Sequence, residues 1–289
     1  MESNLFLCRS SESKRGETMG NVIAVCMNKG GVGKTTLVTH LAAVLASGAD
    51  PARVLIIDID PQGNAAVVFG RDPDRLELGS TADVLLHGTP LADITVPVSD
   101  HLDLAPASDG LNGFEVHVLG QPGRYARPLH LLKEALGRVK KEYDWILIDC
   151  PPSLGLLTAN AVKAADGVLV PFVPEAFSVK GLQRVVQAIE GLRDEGSSSP
   201  RIVGVAATMV DSRSTLHGEL LASARAYCEA QGFPLLETVI PRSIRYANAA
   251  AYEGRPAVWS DRSHPAVAPY FELTKEVLAH AVPKKRTAR

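Results

Sequence analysis

A glycine-rich segment, residues 29–36, carries the clearest chemistry in the chain and reads Lys-Gly-Gly-Val-Gly-Lys-Thr-Thr. An apolar run of strand length, residues 22–26, precedes it, and a helix-like stretch, residues 37–45, follows it. Glycines between a strand and a helix let consecutive backbone N–H groups surround an anion, and the positive end of the helix dipole adds to the attraction. The segment therefore predicts a loop that binds nucleotide phosphates. Lys34 would reach the β- and γ-phosphates, and the Thr35 hydroxyl would ligate Mg²⁺.

Two residues distinguish this segment from the general phosphate-loop pattern. The pattern asks for glycine five residues before Gly33, where the chain has Asn28. The next residue, Lys29, is a second lysine at the entrance of the loop, although one lysine suffices for one nucleotide. Lys29 is therefore either solvated or reserved for other phosphates. The alternative for the whole segment is a glycine turn before a surface helix, which leaves the strand–loop–helix context without an explanation.

Three aspartates form a second candidate part of the site. Asp149 ends the apolar run 145–149, where an unpaired carboxylate is costly unless it faces the open edge of a sheet and a cation. Asp58 and Asp60 lie two residues apart on a predicted strand, so their side chains point to the same face. These carboxylates predict a shared polar site with Mg²⁺, which Asp149 would hold through water. Asp58 and Asp60 could instead cap the helix that begins near residue 62.

The apolar pattern predicts the elements that position these residues. Runs of strand length recur, and most are continuous rather than alternating, so helices should cover both faces of the sheet. Helix-like segments lie between the runs, which predicts a doubly wound α/β fold with a mostly parallel sheet flanked by helices. The region 76–123 is loop-rich and poorly patterned. The predicted strands are 22–27, 53–59, 102–106, 145–149, 168–173, 202–209 and 236–240, and the predicted helices are 35–46, 128–141, 155–165, 178–195, 216–231 and 266–281.

Composition is typical of a globular enzyme with one large α/β core, since the 289 residues are 46% apolar and 21% charged. A net charge of −2 excludes a generally basic nucleic-acid binder, so any DNA contact needs a local patch or a dimer. The apolar stretches are shorter than a membrane span requires. The cysteines lack Cys-x-x-Cys spacing, which predicts reduced cytoplasmic thiols, with Cys26 and Cys150 buried in strands.

The chain is predicted to form one domain, residues 19–283, with an extension at each end. Residues 1–18 are polar and serine-rich and lack the apolar core of a signal peptide. They are expected to be a disordered extension or a misassigned start before Met19. The basic tail, residues 284–289, is most simply a solvated terminus.

Four further blocks extend the lysine-bearing loop into a family pattern. Residues 54–64 read Val-Leu-Ile-Ile-Asp-Ile-Asp-Pro-Gln-Gly-Asn, and residues 143–153 read Tyr-Asp-Trp-Ile-Leu-Ile-Asp-Cys-Pro-Pro-Ser. Residues 208–213 read Thr-Met-Val-Asp-Ser-Arg, and residues 240–245 read Ile-Pro-Arg-Ser-Ile-Arg. With the loop, these blocks resemble the deviant Walker A ATPases of the ParA/MinD superfamily, in family order from residue 21 to about 280. The partition-type blocks resemble its ParA branch in particular.

The resemblance implies a Mg²⁺-dependent ATPase and suggests a role for each motif residue. Lys29 would reach the partner's nucleotide across a face-to-face dimer, as an arginine finger does elsewhere, and Gly30 would lie where the two backbones approach. Asp60 would orient the attacking water, and Asp58 would support the metal shell or the loop hydroxyls. The predicted catalytic residues are Lys29, Lys34 and Asp60, and the predicted metal ligands are Thr35, Asp58 and Asp149. The predicted ATP-binding residues are Lys29, Gly30, Gly31, Val32, Gly33, Lys34, Thr35, Thr36, Thr208, Met209 and Pro241, the last three as candidates for the adenine pocket.

The resemblance also implies partners. Arg213 and Arg245 fall where ParA-type proteins place non-specific DNA contacts, although each could be a surface charge or part of a local ion pair. Residues 246–250 read Tyr-Ala-Asn-Ala-Ala where a Ser-Glu-Ala-Pro-like run is usual, so the resemblance does not fix the geometry beside Arg245. The implied partners are a second copy of the chain, nucleoid DNA and a ParB-like centromere-binding protein, without a membrane.

Two other classes remain as alternatives. A MinD-like ATPase, acting at the membrane surface or on a protein cargo, would end in a basic amphipathic helix with bulky apolar residues. Residues 282–289 read Val-Pro-Lys-Lys-Arg-Thr-Ala-Arg, which does not fit such a helix. A nitrogenase-type reductase would need cysteines that bridge an iron–sulfur cluster, but Cys26 and Cys150 fall inside predicted strands.

Overall fold

The central sheet has seven strands within residues 20–192 and 200–281, the part of the chain that the computed structural model describes. Its strand order is β3-β4-β2-β5-β1-β6-β7, and each pair of neighbours is parallel except β3 and β4. The predicted doubly wound, mostly parallel fold is confirmed. The strands are β1 Asn21–Val25, β2 Val54–Asp58, β3 Val96–Ser99, β4 Leu102–Ala105, β5 Trp145–Asp149, β6 Gly167–Phe172 and β7 Arg201–Ala207.

Helices cover both faces of this sheet. They are α1 Lys34–Leu45, α2 Asn64–Val68, α3 Thr81–His87, α4 Leu91–Ile94, α5 Phe114–Leu119, α6 Leu131–Val139, α7 Leu156–Ala164, α8 Ser178–Gly191, α9 Thr215–Gln231, α10 Arg245–Asn248, α11 Ala257–Ser260 and α12 Pro269–Ala281. A 3₁₀ turn at Asp109–Leu111 and a π-helix at Ala249–Glu253 complete the helical segments of the described chain.

Alternation along the strands divides the core into two layers. In β1, Val22 and Ala24 pack in the layer that contains α3 to α9, whereas Ile23 and Val25 pack in the layer that contains α1, α11 and α12. This follows from side chains pointing to opposite faces at successive strand positions. Because both layers are apolar, β1 reads as a continuous apolar run, and the loop after it emerges at the carboxyl edge of the sheet.

The region 76–123 contains a strand that the sequence did not reveal. Val96–Ser99 pairs antiparallel with β4 at the edge of the sheet, and Pro97 lies within it. Proline has no amide hydrogen to donate to a ladder and is therefore confined to edge strands. In the sequence, the short Val-Pro-Val-Ser run is typical of a loop, so the strand was not predicted.

The predicted strand 236–240 was wrong. This segment runs beside β7 without a regular ladder: Val205 of β7 forms an isolated bridge with Leu235, the Ile240 amide donates to the Ala207 carbonyl over 2.8 Å, and Val210, beyond β7, forms a bridge with Pro241. The amides of Glu237 and Thr238 donate instead to the Glu276 carboxylate, over 2.7 and 2.9 Å. A side chain of α12 thus binds two amides of this segment.

The predicted extension 1–18 and the basic tail 284–289 lie outside the described residues. Within the described ranges, no helix combines the length and apolar character needed to cross a bilayer.

Candidate nucleotide-binding site

The glycine-rich loop joins β1 to α1 at the carboxyl edge of the sheet. Gly31 and Gly33 have φ angles of 70° and 82°, the left-handed region that favours glycine. No side chain caps the N-terminus of α1, and its first turn contains no acidic residue. The first amides of α1 are therefore available to an anion, and the helix dipole favours one there.

Lys34 opens α1 and is only 7% exposed. Its Nζ donates to the Lys29 carbonyl over 3.2 Å, which folds the side chain back across the loop. A buried ammonium beside uncapped amides provides strong positive potential, so the loop can hold a polyphosphate.

The helix that carries the loop is fixed from its far side. His40 Nδ1 donates to the Thr36 carbonyl over 2.8 Å, and its Nε2 accepts from the Ala257 amide over 3.2 Å. This arrangement requires the neutral ring, which also stacks on Tyr270 at 4.5 Å between centroids. Burial lowers the pKa of His40 to about 4. The first turns of α1 are therefore held rigidly against α11 and α12.

Two of the predicted carboxylates are neighbours across the sheet. Asp58 ends β2 and Asp149 ends β5, and the two residues are partners in the parallel register. Asp58 accepts from the amides of Asp60 and Ala65, over 2.9 and 3.1 Å, so it holds the turn into α2. Burial and then the charge of Asp149 raise the pKa of Asp58 well above its usual range.

Asp149 is the polar group of this site that most needs a ligand. It is fully buried, and among the described residues neither of its carboxylate oxygens has a well-formed hydrogen-bond partner. Burial raises its pKa to about 7, although the Thr35 hydroxyl and the Lys34 charge act in the opposite direction. A fully buried carboxylate with so little hydrogen bonding is costly unless a cation compensates it.

These residues fit Mg²⁺. Within the described chain no three acidic, histidine or cysteine side chains form a preformed metal cage. Mg²⁺ in phosphate-transfer sites does not need one, because it uses one or two carboxylates together with waters and substrate phosphates. Asp149 and the Thr35 hydroxyl could provide the protein's share of such a site.

Asp60 lies just beyond β2, at the same edge. It is 7% exposed, and its Oδ1 accepts from the Gln62 amide over 3.1 Å. Its charge contributes to the raised pKa of both Asp58 and Asp149, so the three carboxylates share one electrostatic environment.

The residues predicted for the adenine pocket lie beside the loop. Thr208 Oγ1 donates to the Val32 carbonyl over 2.9 Å and so ties the end of β7 to the loop. Met209 has a φ of 54°, and its Cε lies 3.7 Å from the position that a Cβ on Gly33 would take. Pro241 is bridged to Val210, the residue after Met209.

Comparison with known proteins decides the family. Residues 20–202 match the family model described as an AAA domain. The chromosome partitioning protein ParA of Myxococcus xanthus is 35% identical over 280 residues, 95% of this chain and 95% of that protein. The sporulation initiation inhibitor protein Soj of Bacillus subtilis is 36% identical over 263 residues, 91% of this chain and 100% of that protein. The chain belongs to the ParA family of P-loop ATPases.

A solved structure with bound nucleotide shares the fold. Cobyrinic acid a,c-diamide synthase from Mycobacterium smegmatis, with bound ADP and magnesium, matches with a TM-score of 0.76 and 31% identity. The match covers 91% of this chain and 95% of that one. Its ligands agree with the ATP and Mg²⁺ that the sequence predicted.

The second lysine of this ParA-family loop has a partner that sequence reasoning missed. Lys29 Nζ lies 2.5 Å from Glu175 Oε2, and Arg242 Nη2 lies 3.7 Å from the other oxygen of Glu175. The hydrogen bond from Lys29 lowers the pKa of Glu175, and the charges of Lys29 and Arg242 add to the effect. Glu175 lies just beyond β6, so only its place at the same sheet edge could have suggested the contact.

The predicted DNA-binding arginines have different surroundings. Arg213 is 89% exposed and pairs with Asp211 at 3.0 Å. Arg245 is 20% exposed and pairs with Glu253 at 2.6 Å. Local ion pairs, the alternative weighed for each arginine from sequence, are therefore present, and phosphate contacts remain predictions for both residues.

The two cysteines near the site are buried, as expected, but the prediction that they lie inside strands was wrong by one residue in each case. The Sγ atoms of Cys26 and Cys150 lie 3.1 Å apart, and both thiols are free. Each follows a strand end, Cys26 after β1 and Cys150 after β5, so both help to fill the core beneath the loop.

Proposed function

We propose that this chain is a Mg²⁺-dependent ATPase of the ParA type, which dimerises around ATP, binds DNA without sequence preference and releases it on hydrolysis. The observation that carries the proposal is the fully buried carboxylate of Asp149, which has no well-formed hydrogen-bond partner among the described residues and lies near the Lys34 ammonium and the uncapped amides of α1. Mg²⁺ bound to a nucleotide phosphate matches both parts of this site, because the cation suits the buried carboxylate and the phosphate suits the positively charged loop.

Each side chain then has one task in hydrolysis. The loop amides and Lys34 bind the β- and γ-phosphates, and Thr35 with Asp149 holds the metal. A metal held there would neutralise charge that develops on the phosphate oxygens. Asp60 orients the attacking water, and Asp58 keeps that segment in place through the amides it already binds.

In the proposed dimer, Lys29 contacts the nucleotide of the partner subunit. The side chain is 40% exposed at the entrance of the loop, and its present partner Glu175 is 43% exposed. An exposed ion pair of this kind contributes about 0–1 kcal/mol, so a phosphate group can displace Glu175 at little cost. A lysine supplied in trans couples hydrolysis to dimer formation.

DNA binding in this proposal depends on positive side chains that the dimer brings together from two subunits. The chain has a net charge of −2, so one subunit offers little general attraction to DNA. A dimer doubles a local set of arginines such as Arg213 and Arg245, which suits phosphate-directed, salt-sensitive binding. We infer action at the nucleoid, with a ParB-like protein that brings the cargo and stimulates hydrolysis.

Nucleotide binding tests the site directly. Lys34→Ala should lose affinity for a fluorescent ATP analogue, because it removes the charge that faces the β- and γ-phosphates. Thr35→Ala should retain nucleotide affinity better but lose Mg²⁺-dependent turnover. Lys275→Ala, which removes an exposed lysine on α12, is the matched control. Unchanged affinity in Lys34→Ala would overturn the assignment of the loop.

The membrane alternative is tested by flotation. The protein is mixed with anionic vesicles, with and without ATP, and with random-sequence duplex DNA in a parallel sample. ATP-dependent binding to DNA and no flotation with vesicles is the expected result. Flotation without DNA binding would transfer the protein to the MinD-like class.

A further inference from the structure

Arg245 is held by a carboxylate on an unusual helix. It opens α10, which continues directly into the π-helix Ala249–Glu253. The last residue of the π-helix, Glu253, places Oε1 2.6 Å from Arg245 Nη1. π-helices are rare and occur frequently at functional sites. This one includes part of the run at 246–250 that departs from the ParA pattern.

The ion pair reduces the access of DNA to Arg245. Its side chain is 20% exposed, whereas that of Arg213 is 89% exposed. Glu253 also lies 3.6 Å from Arg255, which gives the carboxylate a second cation if Arg245 leaves. Arg245, then Ser260, and also Arg255 lower the pKa of Glu253, so the carboxylate stays charged.

The end of the π-helix also contacts the segment that follows α2, through two glycines. Gly254 ends the π-helix with a φ of 59°, and Gly70 follows α2 with a φ of 67°. A Cβ built on Gly70 would lie 3.3 Å from Gly254 Cα, so the two backbones are in close contact. The other end of α2 is held by Asp58, which accepts from the Ala65 amide. A shift of α2 therefore presses on the segment that carries Glu253.

We propose that Glu253 is a positioning residue that withholds Arg245 from DNA in the nucleotide-free subunit, and that movement of α2 on nucleotide binding releases it. The inference rests on the proposed DNA binding. Arg255 would take over the Glu253 carboxylate in the released state, so no buried charge is left unpaired. ATP dependence of DNA binding would then have two sources, the pooling of charge in the dimer and the release of Arg245 in each subunit.

The test is filter binding of the full-length protein to random-sequence duplex at several salt concentrations, with and without ATP and Mg²⁺. Glu253→Gln should raise affinity in the nucleotide-free state by roughly three- to tenfold and make the slope of log affinity against log salt steeper by about 1, the value for one added phosphate contact. With ATP, its affinity should match that of the wild type. Glu253→Asp keeps the charge but shortens the side chain, and should give a smaller rise.

Two controls separate release from a general change of charge. Glu272→Gln removes the same charge from an exposed pair with Lys275 and should leave DNA affinity unchanged. Arg245→Ala combined with Glu253→Gln should abolish the rise. An equal rise in both backgrounds would overturn the inference, as would identical affinities of wild type and Glu253→Gln in every state. If the wild type fails to bind DNA in any nucleotide state, the proposed function itself falls, and the inference falls with it.

Discussion

Asp149→Asn is expected to stabilise the free protein while it abolishes hydrolysis. Asp149 is fully buried without a well-formed partner among the described residues, and burial raises its pKa from 3.8 to about 7. A carboxyl with a higher pKa in the folded chain than in the unfolded chain destabilises the fold when it ionises. The cost is absent below about pH 4 and complete above about pH 7, since the folded protein binds more protons between these values.

The expected magnitude follows from the same values. A rise from 3.8 to about 7 corresponds to about 4 kcal/mol of unfolding free energy at pH 8. Asparagine avoids the charge but buries an amide that also needs partners, so a net gain of about 1–3 kcal/mol is expected. The variant also removes the charge that raises the pKa of Asp58.

Denaturant unfolding of nucleotide-free protein in EDTA at pH 8 measures this gain, and the same series with Mg²⁺ and ATP provides the contrast. The wild type should gain stability from Mg²⁺ and ATP together, whereas Asp149→Asn should gain much less because its metal site is impaired. Asp100→Asn, at an exposed position in the turn between β3 and β4, is the matched control. A variant less stable than the wild type at pH 8 would refute the interpretation of Asp149 as an uncompensated buried charge.

Three further predictions concern other parts of the site. Burial lowers the pKa of His40 from 6.5 to about 4, so the free energy of unfolding should be highest above pH 6.5 and about 2 kcal/mol lower at pH 5. In His40→Asn this decrease between pH 6.5 and pH 5 should be absent, as denaturant unfolding at both pH values would show. An equal decrease in both proteins would contradict the prediction. A Cβ on Gly30 would meet only Pro152 Cβ, at 3.9 Å, so Gly30→Val should keep its nucleotide affinity but sediment as a monomer with ATP, whereas Asp60→Ala should sediment as a dimer and hydrolyse slowly. Glu175→Gln removes the ion pair with Lys29 and should lower the dissociation constant of the ATP-bound dimer up to roughly fivefold at low salt, with no change at high salt. A higher dissociation constant would contradict this prediction and would indicate that Glu175 pairs with Lys29 of the partner subunit.

The sequence predicted the parts of the fold that depend on local chemistry. Glycines at 31 and 33 occupy left-handed positions that other residues adopt poorly, so the loop is visible in the residues themselves. The continuous apolar runs predicted a sheet covered on both faces because each face of β1 needs its own apolar residues. Asp149 was identifiable for a related reason, since a carboxylate that ends a buried strand requires compensation.

The missed features depend on contacts between distant segments. Glu175 meets Lys29 across 146 residues of chain, and nothing in the local sequence distinguishes it from a surface glutamate. In the segment 236–240, which was predicted as a strand, two amides donate hydrogen bonds to Glu276, a residue of α12. The end of the π-helix lies against the segment after α2, where two glycine backbones, Gly70 and Gly254, approach closely. Each case requires the tertiary arrangement, which periodicity and motif spacing do not contain.

The site has a consistent division between groups that act within a subunit and groups that act beyond it. Lys34 and Asp149 are buried at the site proposed for the nucleotide, and burial of the Asp149 carboxylate destabilises the free subunit. Lys29 and Arg245, which we assign to the partner's nucleotide and to DNA, are each held by a glutamate of their own subunit. Preorganisation within the subunit favours tight nucleotide binding. The held cations become available only when another surface competes for them, so a free subunit with ATP should hydrolyse it slowly and bind DNA weakly until it meets a second copy.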